Sequence, residues 1–313
     1  MKILVTPRSF DIPAFKMLKE AGFEIVKNET GGILTEDALA ALIADCDGLI
    51  LGVDPLTHRV LAAAPKLKAV AKYGVGVDNI DLAACEKRGI KLSRTVGANA
   101  DAVADYAFAL MLAVARKIIP IDAACRRGDW SKTTGIDVYG KTLGLIGLGA
   151  IGKGVVARAA GFGMKILAHD PFWDEEYAAA RGIAQRLVEQ ICAEADFISV
   201  HAPLTELTRG IIGPKQIAVM KPTAIIINTA RGGIIDEAAL LAALRDGKIY
   251  GAGIDAFEEE PPADDTWFAL PNVVIGSHCA ASTTGAVTQM GRMAANNLIR
   301  DLADLAFTGP PPS

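Results

Sequence analysis

The sequence predicts two α/β domains, each built on a parallel sheet, and three observations carry this. Short apolar runs alternate with helical stretches from residue 2 to about residue 95, and again from residue 143 to residue 277. The second series opens with glycines in G-x-G-x-x-G spacing, at Gly147, Gly149 and Gly152. At 313 residues, 51% of them hydrophobic, the chain is long for one core, and about two domains are expected.

In the first series the apolar patterns predict strands at 2–5, 23–26, 48–51, 67–71 and 90–92. Helices are predicted at 12–21, from Thr35 to about Ala44, at 57–64 and at 80–87. Gly22 and Gly89 stop two of them, and Thr35-Glu-Asp supplies an N-cap with an acidic first turn. Residues 100–117 read as a helix that is apolar nearly all round, so it belongs in a buried place, between domains or subunits. A short helix follows at 121–127, then a polar, irregular arm at 130–139. Six strands are predicted in the second series, at 143–146, 164–169, 196–200, 223–228, 250–255 and 273–277, with helices between them. A long helix at 283–307 closes the chain before a short Gly309-Pro-Pro-Pro tail.

The stretch Lys141-Thr-Leu-Gly-Leu-Ile-Gly-Leu-Gly-Ala-Ile-Gly152 is a buried strand, a glycine turn and the start of a helix predicted at 153–162. That order is the dinucleotide-binding fingerprint. The first glycine makes the turn, the second admits a pyrophosphate and the third lets helix and strand pack closely. Asp170 ends the next strand, 18 residues after Gly152, near the spacing of about 20 expected for the acid that takes the ribose hydroxyls. An acid there repels a 2′-phosphate, and no Arg or Lys follows within a few residues, which favours NAD over NADP.

Composition excludes other classes. Net charge is −4 with no basic run, which argues against nucleic acid. The longest apolar stretches, such as 107–115, are too short to span a membrane. Met1-Lys-Ile-Leu-Val-Thr-Pro enters a strand directly and does not read as a signal peptide. Cys46, Cys85, Cys125, Cys192 and Cys279 show no metal-ligand spacing, so they read as reduced thiols in a cytoplasmic protein without metal.

Ligands of open parallel sheets bind at the carboxyl ends of strands. His201, Arg231, Asp255, Glu260 and His278 all fall there. Hydride transfer at an oxygen-bearing carbon needs an acid–base group, and histidine suits this. It needs a cation for an anionic substrate, which Arg meets with bidentate geometry. It also needs a carboxylate that orients the histidine and favours its charged form. Arg231, the acidic run Glu258–Glu260 and His278 supply these types, although spacing alone does not choose among the three glutamates. His58 reads as a solvated helix-start residue, His169 as flanking the adenosine side, and His201 as shaping the cofactor wall.

These residues resemble the D-isomer-specific 2-hydroxyacid dehydrogenases, especially the phosphoglycerate dehydrogenase-like members. The matching motifs are Tyr73-Gly-Val-Gly-Val-Asp-Asn-Ile-Asp81, Thr95-Val-Gly-Ala-Asn-Ala-Asp-Ala-Val-Ala-Asp105, Gly147-Leu-Gly-Ala-Ile-Gly152, His201-Ala-Pro-Leu-Thr205, Asn228-Thr-Ala-Arg-Gly-Gly233, Gly251-Ala-Gly-Ile-Asp-Ala-Phe-Glu-Glu-Glu-Pro261 and Ser277-His-Cys-Ala-Ala-Ser282. The resemblance implies two doubly wound parallel-sheet domains, a Rossmann NAD domain (99–284) inserted into a flavodoxin-like substrate domain (1–98 and 285–313). It implies a catalytic Arg231, a His-pairing Glu260 and an acid–base His278. Substrate would be held by Gly74, Val75, Gly76 and Asn99 together with Arg231 and His278. NAD would be lined by Thr95, Val103, the 147–152 glycine loop including Ala150 and Ile151, Asp170, His201, Ala202, Pro203, Thr229, Ala230, Arg231, Asp255, His278 and Ala280. The 100–117 helix and the arm after it would serve hinge and dimer contact in a cytoplasmic homodimer acting on a small anionic 2-hydroxy or 2-keto acid.

The chain departs from that pattern in places. Where phosphoglycerate dehydrogenases often carry Arg-Ser-x-Thr, it reads Gly52-Val-Asp-Pro-Leu-Thr57, an acid without the Arg. Arg8, Lys72 or Arg94 are the cations on offer to compensate. Arg94-Thr95-Val96 stands for the usual Asn-Thr-Pro, and Asp105 for the usual Glu. Substrate identity stays open, possibly 3-phosphoglycerate. The alternatives are a glyoxylate/hydroxypyruvate reductase and a non-enzymatic, NAD-sensing corepressor-like protein.

Overall fold

The structure is a computed structural model and describes residues 1–306. Phe307, the expected end of the last helix, and the Gly309-Pro-Pro-Pro tail lie outside the described residues. The chain forms two compact units, residues 1–99 with 282–313, and residues 100–281.

Unit one runs β1 (Lys2–Val5), α1 (Ile12–Glu20), β2 (Glu24–Lys27), α2 (Glu36–Ile43), β3 (Gly48–Leu51), α3 (His58–Ala62), β4 (Ala69–Lys72), α4 (Leu82–Lys87) and β5 (Lys91–Arg94). Its strands are all parallel, in the order β2-β1-β3-β4-β5, the flavodoxin-like arrangement. β3 and β4 are buried along their whole length, as strands covered on both faces must be. Asp11, Thr35, Thr57 and Asp81 cap the four helices through their side chains.

Unit two runs α5 (Ala100–Ala115), α6 (Ile118–Arg126), β6 (Thr142–Ile146), α7 (Ala150–Gly161), β7 (Lys165–His169), α8 (Glu175–Arg181), β8 (Ala184–Gln185), α9 (Val188–Glu194), β9 (Phe197–Val200), α10 (Pro214–Ala218), β10 (Ile225–Asn228), α11 (Glu237–Arg245), β11 (Gly251–Ile254), α12 (Thr266–Ala269) and β12 (Val273–Ile275). The closing helix α13 (Thr284–Ala306) belongs to unit one, where it packs on α1 and on β3, β4 and β5. The seven strands of unit two are parallel, ordered β12-β11-β10-β9-β6-β7-β8. Counted from β6, this is the 3-2-1-4-5-6 order of the Rossmann sheet with one more strand. The chain reverses at β6, so the crevice outside β6 and β9 is the place where such sheets bind ligands.

Two expectations need correction. The sheet has seven strands rather than six; β8 is only two residues long, too short to leave an alternating pattern. The helix predicted at 100–117 stops at Ala115. Lys117 turns left-handed (φ 52°) and α6 begins at Ile118, not 121. Within unit two, α5 packs in the core, against α7 and the β10–β11 pair. Glycines let it approach. A Cβ at Gly251 would stand 2.6 Å from Val114 Cγ1, and one at Gly253 2.8 Å from Leu110 Cβ. On the other side, Gly154 of α7 faces Ala104. A helix sandwiched this way has little wet face to offer, which is why its sequence is apolar nearly all round.

The third glycine of the fingerprint is a packing constraint. A Cβ at Gly152 would overlap the carbonyl oxygen of Gly147. Gly152→Ala should therefore cost about 1–3 kcal/mol, in the range of overpacked interiors. Thermal unfolding of the variant tests this, and an unchanged melting temperature would refute the packing role.

Candidate active site

Every strand of unit two is parallel, so all its carboxyl ends face one edge, and the chemistry-bearing residues collect there. β10 ends in Asn228, which is 3% exposed. Its Nδ2 donates to Arg231 O (2.9 Å) and Ala256 O (3.3 Å), and its Oδ1 accepts from Ala230 N (3.1 Å). One side chain thus ties the loop after β10 to the loop after β11. Gly232 closes the same contact, because a Cβ there would overlap the backbone of Phe257 and Glu258. Glu237, at the start of α11, accepts Glu258 N at 2.7 Å. Arg231 is carried on this pinned loop, with Nη1 donating to Ala230 O at 2.7 Å.

Glu260 and His278 meet directly. His278 Nδ1 lies 2.9 Å from Glu260 Oε1 and 3.0 Å from Oε2. Glu260 Oε1 also accepts Phe257 N at 3.1 Å. Burial raises the Glu260 carboxyl, but the His278 hydrogen bond and charge, the Phe257 amide and the Arg231 charge outweigh it, and the pKa lies below the ordinary value. The carboxylate is therefore ionised at neutral pH and orients the ring by Nδ1, which leaves Nε2 for a reacting oxygen. Of the three adjacent glutamates, it is Glu260 that reaches the histidine. Asp255, 1% exposed, accepts Cys279 N (3.0 Å) and Ala280 N (2.8 Å), so its carboxylate holds the His278 turn from behind.

At the fingerprint, Gly147 is left-handed (φ 102°), and a Cβ there would come within 2.7 Å of His201 C. Gly149 N-caps α7; it is exposed and has open space where a side chain would stand. Ala150 and Ile151 form the first turn of α7, which begins three residues earlier than predicted. Asp170 bridges the loops, with Oδ2 accepting Leu148 N (2.7 Å) and Oδ1 accepting Phe172 N (2.8 Å). By strand order, Asp170 lies on the opposite side of β6 from Arg231, Glu260 and His278. Between them, at the ends of β9 and β10, His201 Nδ1 and Thr229 Oγ1 are buried without a hydrogen-bond partner among the described residues. Buried polar atoms are normally satisfied. These two, the bare Gly149 and the helix N-terminus fit a bound dinucleotide. Ala202, Pro203 and Ala230 follow on the same loops, Ala280 is buried behind Asp255, and Val103 is buried in α5.

The other histidines separate cleanly. His201 Nε2 pairs with Ser199 Oγ at 2.8 Å, and burial pushes its pKa down to about 4, so it is neutral at working pH. His169 Nδ1 faces Arg186 O at 3.3 Å, and His58 sits exposed in the first turn of α3.

Unit one holds its own cluster. Gly74 is left-handed (φ 131°) and is clasped by Thr95, with Gly74 N donating to Thr95 Oγ1 at 2.8 Å and Thr95 N to Gly74 O at 3.0 Å. Thr95, fully buried, therefore shapes the Gly74–Gly76 loop. Val75 and Gly76 are half-buried, and Asn99 Oδ1 is buried without a partner among the described residues. Lys72 is 5% exposed and donates to Gly52 O and, at 3.1 Å, to Asn79 Oδ1. Arg8 reaches Gly31 O at 3.4 Å, and Arg94 is exposed.

The model for the D-isomer specific 2-hydroxyacid dehydrogenase NAD-binding domain matches residues 108–280, more than half of the chain. This chain belongs to that family. It is accordingly an NAD-dependent oxidoreductase of the class that acts on CH–OH groups. It is 44% identical over 265 residues to a glyoxylate reductase of Korarchaeum cryptofilum, covering 82% of this chain and 80% of that one. It is 45% identical over 304 residues to a D-3-phosphoglycerate dehydrogenase of Methanocaldococcus jannaschii, covering 95% of this chain but only 57% of that protein. A D-lactate dehydrogenase from Aquifex aeolicus, solved with NAD and lactic acid, superposes with a TM-score of 0.83 at 28% identity, covering 98% of this chain and 99% of that one.

Asn228 and Glu237 escaped the sequence reading. A polar residue ending an all-isoleucine strand is the signal for Asn228; Glu237, an acid in the first turn of α11, carries no signal of its own. The low His201 pKa has a consequence for stability. Between pH 6.5 and about 4 the unfolded chain binds a proton at this ring that the folded chain refuses, so stability falls as pH is lowered through that window. His201→Gln should flatten this dependence in urea melts taken across the window. Identical slopes in variant and parent would overturn it.

Proposed function

We propose that the chain interconverts a small, unphosphorylated D-2-hydroxy acid and its 2-keto acid, in the glyoxylate/hydroxypyruvate class, with NAD as redox partner. The observation that carries the reaction is the bidentate approach of His278 Nδ1 to Glu260 beside Arg231. Arg231 takes the substrate carboxylate, and in unit one the amides of Gly74, Val75 and Gly76, with Asn99, are the substrate-binding groups. In oxidation His278 Nε2 takes the hydroxyl proton as the C2 carbonyl forms; in reduction it returns that proton to the oxygen. Glu260 stabilises the charged ring. NAD, when bound, supplies the acceptor or donor of the C2 hydride. The 147–152 loop with α7 would hold its pyrophosphate, Asp170 its ribose, and His201, Ala202, Pro203, Thr229, Ala230, Asp255 and Ala280 the wall of its site. Val103, on α5, belongs with that wall, and Thr95 acts in unit one by shaping the Gly74 loop.

In this reading residues 1–98 with 285–313 bind the substrate and residues 99–284 hold NAD. The active form is a cytoplasmic homodimer. Exposed Trp130, Ile118 and Ile119 on α6 and the following arm support association, and five unpaired thiols support the compartment. The absence of phosphate rests on two features. The stretch Gly52–Thr57 carries no Arg, and its one acid, Asp54, is buried with Oδ1 accepting Leu34 N at 2.8 Å; the Lys72 ammonium already serves Gly52 O and Asn79. The 45% identity to a phosphoglycerate dehydrogenase favours 3-phosphoglycerate as the second reading.

A panel of 2-keto and 2-hydroxy acids, including glyoxylate, hydroxypyruvate and 3-phosphoglycerate, followed by nicotinamide absorbance, separates these. Glyoxylate or hydroxypyruvate should turn over best, and with NADH rather than NADPH. Efficient oxidation of 3-phosphoglycerate would select the second reading, and no turnover at all would favour the binding-protein alternative. His278→Ala should lower kcat by about 10²–10⁴-fold; full activity in that variant would remove His278 from the chemistry.

A further inference from the structure

His278 is held in an unusual way. Its backbone is left-handed (φ 55°), a conformation L side chains rarely adopt, and its side chain is 41% exposed. Glu260 fixes the Nδ1 edge of the ring but does not set the backbone from which the ring hangs. Such a conformation persists only where the surroundings over-determine it. Here the surroundings lie behind the turn. Asp255 takes the next two amides, Cys279 N and Ala280 N. The Cys279 thiol lies 3.3 Å from Tyr106 Oη and 3.7 Å from Asp255 Oδ1. Tyr106 reaches this point from α5, which is packed on β11.

The space is full. A Cβ at Gly276 would overlap Asp255 Oδ1 and stand 2.7 Å from Tyr106 Oη. Phenol and carboxylate thus crowd position 276, where only a glycine leaves room for both. Burial raises the Tyr106 pKa, so the phenol is neutral, and its oxygen accepts a hydrogen bond from the thiol. Neither Tyr106 nor Cys279 has a role among the site residues already described.

We infer that Tyr106 is a positioning residue for His278, acting through the Cys279 thiol and the Asp255 carboxylate. The hydroxyl stops the turn from relaxing towards α5, and so sets where the His278 ring stands above Glu260. This rests on the reading of His278 as the proton carrier.

Tyr106→Phe removes the hydroxyl and little else. With the best substrate of the panel, kcat should fall about 10-fold, because small misplacements of a reacting group are costly, while KM for NADH stays unchanged. The chain has four histidines, so ring ¹⁵N signals can be resolved. The His278 signal should move in Tyr106→Phe, and those of His58, His169 and His201 should not. Cys279→Ala should reproduce both effects, and Cys279→Ser, which keeps a donor, should restore them in part. Parent-like kcat and an unmoved His278 signal in both Tyr106→Phe and Cys279→Ala would overturn the inference. So would a loss of activity in Tyr106→Phe that follows its melting temperature down while Cys279→Ala behaves as the parent. The NMR measurement needs no substrate, so failure of the substrate panel would count against the proposed function and not against this one.

Discussion

The approach of Gly232 to the backbone of Phe257 and Glu258 is the contact on which the site depends. Any side chain at 232 would overlap those atoms, so the loops after β10 and β11 can touch only because the position is bare. Asn228 locks the same two loops by donating to Arg231 O and Ala256 O. Arg231 thereby lies close enough for its charge to act on Glu260, three residues beyond Phe257. β12 brings the third member to the same edge, because it pairs in parallel with β11 and ends beside it. Backbone proximity comes first here, and the polar triad follows from it.

Behind this edge the buried polar groups divide into two kinds. Asn228 and Asp255 have their hydrogen-bonding atoms engaged with backbone or neighbouring loops, and so make rigid what would otherwise be strand-end turns. His201 Nδ1 and Thr229 Oγ1 have no partner among the described residues. A buried donor or acceptor left unmade costs about 1–3 kcal/mol. Sites that carry such atoms are places where a ligand gains from arriving. The contrast separates the frame of the site from its receiving surface within one row of strand ends.

The fold was legible because its signals are local. Alternating apolar runs and helical patterns placed eleven of the twelve strands within a few residues, and glycine spacing with Asp170 marked the cofactor strand. β8 was lost because two residues carry no period. The early start of α7 was lost because Ala150 and Ile151 read equally well as loop. The packing partners of α5 were not legible for a different reason. An all-apolar helix says that it is buried but not against what. Its partners, the glycines of β11 and Gly154 of α7, lie far along the chain.

The site shows the same division. Residue types and strand-end positions were sufficient, from sequence alone, to nominate Arg231, the 258–260 acids and His278, and motif resemblance then singled out Glu260. Which carboxylate touches His278 is a matter of loop geometry, and the folded chain shows the contact itself, with Glu260 within 3.0 Å of the ring. Lys72 illustrates the converse. Its sequence position offers a cation for a substrate phosphate, yet the fold buries the ammonium against Gly52 O and Asn79. Sequence determined the chemistry available at each strand end, because side-chain type and strand order are written along the chain. Tertiary structure decided which of those groups are engaged by the protein itself and which are left for a ligand, because that depends on contacts between segments distant in sequence.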